Sequence, residues 1–482
     1  MKHDAAMATM SFLLSCASRQ LYGSGKLVIE HSFGDGLFCH DDKWKMYPRQ
    51  RLQKLHELLN EWLANEIPLK YDTIDCSQAI MVFEEAGLRN KPELLRMWQQ
   101  DKFPIIRFGE FWDICLEPMN LDKSSMRVFE LRNYNHGFLL RLAPRKNPEV
   151  LAPYLDRPKL FYIFREHQRW IEILGVKTIA QLNNLVRQKV RELVWVSDGL
   201  HDKKLSEIAD QLVEQHYQRP VLFISGPSAS GKTTFAKRLA IQLLINGYTT
   251  RQISMDDYFV NRDDIPVGPD GSQDFEALTV LNMDLLAERV ETLLDGGAVP
   301  ERKFDFRSGM GRDLDETYSL RKKEFLLLEG IHGLNPILTQ RVAPGAAQKI
   351  YVSAITQLNF DGDHRVSTAD NRLIRRLVRD HRTRGYSPED TLARWPSVRQ
   401  GEERNIFPYQ EEADFMFNSV LLYEFSMLTR LARPLLDQVS ADSPHAAEAK
   451  RLVTLLSFFE PMDDSLVPRT SILREFIGGS DF

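Results

Sequence analysis

The stretch Gly226-Pro-Ser-Ala-Ser-Gly231-Lys232-Thr233 constrains this chain more than any other, because it follows G-x-x-x-x-G-K-[ST] in a context that gives the pattern meaning. Val221-Leu-Phe-Ile224 before it is an apolar run of strand length, and Phe235, Leu239 and Leu243 after it recur at helical spacing. Strand, glycine-bearing turn and helix start together make an anion cradle. The glycines let the backbone bend round a phosphate, and free N–H groups plus the helix dipole attract it. The motif assigns Gly226, Pro227, Ser228, Ala229, Ser230, Gly231, Lys232, Thr233 and Thr234 to the phosphates of ATP. Lys232 would reach the β- and γ-phosphates and the Thr233 hydroxyl would ligate Mg²⁺.

Phe325-Leu-Leu-Leu328 and Lys349-Ile-Tyr-Val352 are further continuous apolar runs, as expected of strands buried on both faces of a parallel sheet. The chain therefore reads as α/β, with a phosphate-loop domain over 216–440 whose parallel sheet is flanked by helices. Ahead of it, 1–155 reads as an α+β domain with a helix at Arg49–Asn65, and 156–215 as a helical connector. A helix at Leu285–Leu294 should stop at Gly296-Gly297. Helix is also expected over roughly 411–460, with 441–482 as a separate helical tail whose last residues have no clear pattern.

Three features narrow the chemistry. Ile253-Ser-Met-Asp256-Asp257-Tyr258-Phe259 has strand character ending in two acids, which puts carboxylates at the sheet edge where α/β folds hold ligands. One of the two could take a proton from an attacking hydroxyl, and the pattern alone does not choose between them. Phe325–Leu328 runs into Glu329, a carboxylate able to hold Mg²⁺ or its water. Finally, His364 to Arg384 carries seven arginines, of which Arg372, Arg375, Arg376 and Arg379 fall along one helix edge and could neutralise a polyphosphate.

Composition excludes several classes. The 482 residues suggest about three domains. Lys plus Arg number 62 against 67 Asp plus Glu, a net charge of −5, so no global basic field for DNA or an anionic membrane exists. No apolar run approaches the ~20 residues of a spanning helix. Four scattered cysteines, Cys16, Cys39, Cys76 and Cys115, argue for a reducing, cytoplasmic setting. The opening residues faintly resemble a lipoprotein signal, but Asp4 sits where positive charge is wanted, and Met7, Met10, Leu13 and Leu14 fit one face of a helix.

The pieces GPSASGKTT, SMDDYF, DFEAL from Asp274, KFDF at 303–306, LLLEGIHGLNP and RLIRRLVRDHRTRG, in this order, resemble the uridine kinase, phosphoribulokinase and pantothenate kinase family of P-loop kinases over about 219–430. The resemblance implies that Asp256 is the base acting on the acceptor hydroxyl and that Glu329 supports Mg²⁺. It places Asp274, Phe304 and Arg372 on the acceptor, Asp274 holding sugar hydroxyls, and puts Arg375, Arg376 and Arg379 in a lid. Where uridine–cytidine kinases carry a Tyr and a His that read the pyrimidine, this chain has Phe304 and Gly309.

Residues 5–150 resemble the editing-type second domain of threonyl-tRNA synthetases, through SFLLSCASRQLY, FGDGLFC at 33–39 and FWDICLEP at 111–118. The family's H-x-x-x-H and C-x-x-x-H positions hold Ala8, Phe12, Cys115 and Met119, too few ligands for zinc or for deacylation by that mechanism. His31, His40 and His136 lack ligand spacing. The segment 190–212 also looks like the joint between these two modules in bacterial kinases of combined architecture.

The expectation is an ATP- and Mg²⁺-dependent kinase of a small hydroxylated acceptor, foremost the 5′-hydroxyl of a nucleoside. The alternatives are a sugar or polyol kinase of the same superfamily and an ATP-gated regulatory protein binding tRNA through the first domain. Neither DNA nor membrane is an expected partner, and self-association is left open.

Overall fold

The computed structural model describes residues 2–23, 27–34, 36–41, 43–65, 67–88, 90–144, 147–265, 276–305 and 308–482. Two compact units emerge, each assembled from separated stretches: 1–190 with 356–370 and 425–462, and 191–355 with 371–424 and 463–482.

In the first unit, β1 (Val28–Phe33), β2 (Gly36–His40), β6 (Phe129–Tyr134) and β7 (Gly137–Leu142) form an antiparallel sheet in the order β1-β2-β7-β6. Between them in sequence, β3 (Leu69–Asp75), β4 (Lys102–Phe108) and β5 (Phe111–Ile114) form a second antiparallel sheet. Helices Lys2–Tyr22 and Arg49–Ala64 supply the rest of the core, which contains Met10, Leu13, Leu14, Leu55, Leu59, Phe138 and Leu140. The apolar face read in the opening residues is thus a buried helix face. The connector is helical, as Pro158–Leu174 and Ile179–Glu214, the latter broken at Lys189 (φ −143°).

The second unit holds β8 (Val221–Ser225), β9 (Thr249–Ser254), β10 (Val299–Asp305), β11 (Met310–Tyr318), β12 (Glu324–Glu329), β13 (Ala347–Ser353) and β14 (Phe415–Asn418). Five of these make a wholly parallel sheet in the order β14-β13-β8-β12-β9, and β10 and β11 make a separate hairpin. The three apolar runs are β8, β12 and β13, in the middle of the sheet. Every residue of Val221–Ser225 is buried because helices cover both faces. Phe223, Leu326 and Leu328 pack with Leu286 and Val290 of helix Met283–Leu294, each burial worth about 1.5–3 kcal/mol.

One expectation needs correction. Helix was expected throughout 411–460, yet Phe415-Met-Phe-Asn418 is the edge strand β14, followed by helices Glu424–Leu436 and Ala446–Leu456. Its register against Ile350–Ser353 completes the sheet, and that pairing outweighs local helical propensity. No described helix is long and apolar enough to cross a membrane.

Candidate active site

The loop Gly226–Thr233 leaves β8 and enters helix Lys232–Ile245, so the anion cradle forms at the carboxyl edge of the central strand. Gly231 takes φ +84°, where a side chain would be strained, and Ala229 is also left-handed at +58°. The first bond within the helix runs from the Phe235 amide to the Gly231 carbonyl, which leaves the preceding N–H groups to other acceptors. Lys232 Nζ donates to the Gly226 and Pro227 carbonyls at 2.9 and 3.2 Å, folding back over its own loop.

Thr233 Oγ1 donates to Glu329 Oε1 at 2.9 Å, and Gln252 Nε2 donates to Glu329 Oε2 at 3.1 Å. A threonine hydroxyl beside a strand-end carboxylate is the hard-oxygen donor set that Mg²⁺ takes. Loss of solvation raises the pKa of Glu329 despite the attraction of Lys232, and Glu475 and Asp256 raise it further. Acids crowded in this way are relieved by a divalent cation.

The two acids after β9 differ in their surroundings. Asp257 accepts hydrogen bonds from Lys303 Nζ at 3.1 Å and from the Phe304 amide at 3.2 Å, and so pins β10. Asp256 is exposed. Desolvation by the surrounding protein raises its pKa, Lys232 pulls it down, Asp257 raises it and Arg384 lowers it. Of the pair, the residue matching the base is therefore the one left available. Arg384, which faces it electrostatically, was not singled out from the seven arginines.

The arginine-rich helix, Thr368–Arg384, is where the structure adds most. Arg372 makes a two-pronged pair with Glu402, lies over Trp395 and donates to the Ser228 carbonyl at 3.3 Å. Arg375, fully buried, pairs with Glu424 and donates to the Ser419 carbonyl at 2.9 Å and the Ala229 carbonyl at 3.3 Å. Arg376 donates to Ser228 Oγ at 2.7 Å, and Arg379 donates to its neighbour Asp380 at 2.8 Å. In this conformation Arg372 and Arg375 brace the phosphate loop through buried pairs with protein carboxylates, rather than lying open over a substrate. Glu402 also accepts from the Ser228 amide at 2.8 Å. Neither Glu402 nor Glu424 stood out, since acids 30 and 49 residues from their arginines follow no readable spacing.

On the acceptor side, Phe304 meets Phe259 edge-on at 5.7 Å between ring centroids. Gly309 sits in a turn at φ +73°, and a Cβ there would lie 2.7 Å from Arg262 Cβ, so no imidazole fits at that position. Asp274 and Phe306 lie outside the described residues.

In the first unit, Ala8, Phe12 and Met119 line one small cavity with Asp113 and Glu117. Nearby Cys115 is a thiol, its pKa pushed up to about 12 by burial and by Glu117 and Asp113. The His40 and His136 rings lie 5.3 Å apart with planes tilted by 59°, whereas His31 lies 3.4 Å from Thr368 Oγ1 and burial, then Arg365, lowers its pKa to about 3. Among the described residues, Asp361, Asp363 and His364 lie close enough together to share a cation. Lys91 Nζ already donates to Asp361 Oδ2 at 3.2 Å and to Asp363 Oδ1 at 2.7 Å. A cavity of about 500 Å³ belongs to this unit and is lined by Arg19, Glu30, His40, His136, Arg165 and Gln168 among others. The loop, the acids after β9 and the arginines converge in the second unit.

That convergence defines a phosphate-loop domain. Residues 221–424 match the model of the Phosphoribulokinase / Uridine kinase family. A uridine kinase of Staphylococcus aureus is 27% identical over 198 residues, covering 41% of this chain and 86% of the relative. Among solved structures, a putative fructose transport system kinase from Silicibacter sp. TM1040 is 17% identical, covering 44% of this chain and 98% of that one, with a TM-score of 0.33. A possible uridine kinase from Bacillus stearothermophilus is 17% identical over 44% of this chain and 99% of its own, with a TM-score of 0.29.

Proposed function

We propose that the protein transfers the γ-phosphate of ATP, with Mg²⁺, to a hydroxyl of a small acceptor in the cytoplasm, foremost the 5′-hydroxyl of a nucleoside. The observation that carries this reading is the division of labour between Asp257, tied to β10, and Asp256, left open near Lys232. Asp256 accepts the acceptor's proton as its oxygen attacks, while Lys232 and the loop N–H groups hold the phosphates. Thr233 and Glu329 would hold Mg²⁺, which offsets phosphate charge when bound. Arg384 adds positive charge at the same edge. Phosphate transfer moves one proton to Asp256 and leaves ADP.

Phe304 and Gly309 favour a second reading for the acceptor alone. A phenyl ring stacks on a base but donates no hydrogen bond, and glycine brings no side chain. An apolar pocket discriminates by only about 10–200-fold. Selectivity among ribonucleosides is then relaxed, or the acceptor is a sugar or polyol. An ATP-consumption screen of four ribonucleosides, their 2′-deoxy forms, ribose derivatives, inositol and pantothenate tests both. Turnover of ribonucleosides supports the first reading; turnover of a non-nucleoside alone replaces the acceptor but keeps the kinase. Slow ATP turnover stimulated only by tRNA would overturn both.

A further inference from the structure

The N–H of Thr234 is one of the free donors at the start of the phosphate-loop helix, and a side chain of the protein already holds it: it donates to Glu475 Oε2 at 3.0 Å. Glu475 belongs to the segment 463–482, which lies on the loop itself. A Cβ placed on Gly231 would come within 2.9 Å of Ile472. The segment is tethered from several sides. Ser471 lies 3.2 Å from the Tyr423 hydroxyl, which donates to Asp198 at 2.6 Å. Arg382 of the arginine-rich helix donates to the carbonyls of Glu475 and Phe476 at 3.1 and 3.3 Å, and Arg375 stacks on the Phe476 ring at 4.9 Å.

Two carboxylates thus sit on loop N–H groups, and they are not equivalent. Glu402, on the Ser228 amide, is buried and neutralised by Arg372. Glu475 is only partly buried, and among the described residues it makes no ion pair within 4 Å. It also stands close enough to Glu329 to oppose that group's ionisation. An uncompensated carboxylate on a helix-start donor imitates a phosphate oxygen in charge and in hydrogen-bond geometry.

We propose that segment 463–482 is a built-in competitor for the nucleotide, with Glu475 and a nucleotide phosphate as alternative occupants of the Thr234 N–H. The inference rests on the nucleotide-site reading above. Because one N–H cannot serve two anions and their charges repel, polyphosphate entry requires Glu475 to leave. The tethers through Arg382 and Arg375 link that departure to the arginine-rich helix.

The test uses the full chain and Mg–ATP. Glu475→Gln should bind ATP on the order of tenfold more tightly by calorimetry, since the competing charge is gone. Hydrogen exchange of the unaltered chain should show the amides of 463–482 becoming faster on ATP addition. Unchanged or weaker binding by Glu475→Gln, or protection of 463–482 by ATP, would overturn the competition, the latter showing a clamp instead. Lys232→Ala serves as the control: if it binds ATP as well as the parent, the nucleotide-site reading fails, and the competition with it.

Discussion

Asp257 accepts from Lys303 and from the Phe304 amide, while Asp256 answers to Lys232 and Arg384, so conservative changes at these neighbours should have unlike effects. Asp256→Asn should lower kcat by about 10²–10⁴ with ATP affinity little changed, measured by steady-state kinetics and calorimetry. Asp257→Asn should act through β10 and the acceptor's KM, leaving most of kcat. The proposed base, Asp256, must be ionised to work. With the Asp256 pKa raised, the acid limb of kcat/KM should lie above the ordinary carboxylate value of about 3.9, and activity should fall as pH drops through it. Lys232→Ala should abolish transfer while circular dichroism and melting stay near those of the parent, because the ammonium bonds to loop carbonyls and not within a core. The motif made the loop readable in advance, and the apolar run Phe325–Leu328 pointed to Glu329 as an acid at the sheet edge. Choosing Asp256 took the resemblance first and the hydrogen bonds of Asp257 second.

The parallel strands were legible because burial on both faces leaves continuous apolar runs, whereas β14, four residues at the edge, carries too short a signal beside helical neighbours. Arginines at helical spacing announced a cationic edge. That Arg372 and Arg375 turn inward could not be read, since their partners lie in later elements and only the folded chain brings them near. A buried pair stripped of one partner leaves an uncompensated charge, so Glu424→Ala should destabilise the second unit by about 3–5 kcal/mol in denaturant melts. In the first unit, Cys115 offers one soft ligand, and elemental analysis should find no stoichiometric zinc that depends on it.

His364 shows how distant stretches of the chain are held together. Burial, the largest single influence, and Lys91 lower its pKa, but the charge of Asp361 and the hydrogen bonds of Asp361 and Asp363 together more than offset them and raise it to about 10. A group raised in the folded state stabilises fully below its ordinary value of 6.5 and loses that contribution as pH climbs towards 10. The melting temperature of the first unit should therefore decline across that window, and His364→Gln should flatten the decline. Nothing local in Asp361-Gly-Asp-His364 signals that it joins Lys91 and Asp113, residues some 250–270 positions earlier. Domain membership was for that reason the least readable property of the chain.

This threading has a temporal side. The first unit draws on 1–190, 356–370 and 425–462, so its earliest stretch leaves the ribosome long before its last. At about 5–20 residues per second, the 272 residues from 190 to 462 take roughly 14–54 s to synthesise, and for about the first 9–35 s of that wait Lys91 and Asp113 lack Asp361 and Asp363. The nascent chain must survive that interval with an unfinished core, which makes it a natural client for chaperones, and a fragment ending at residue 190 should melt without cooperativity.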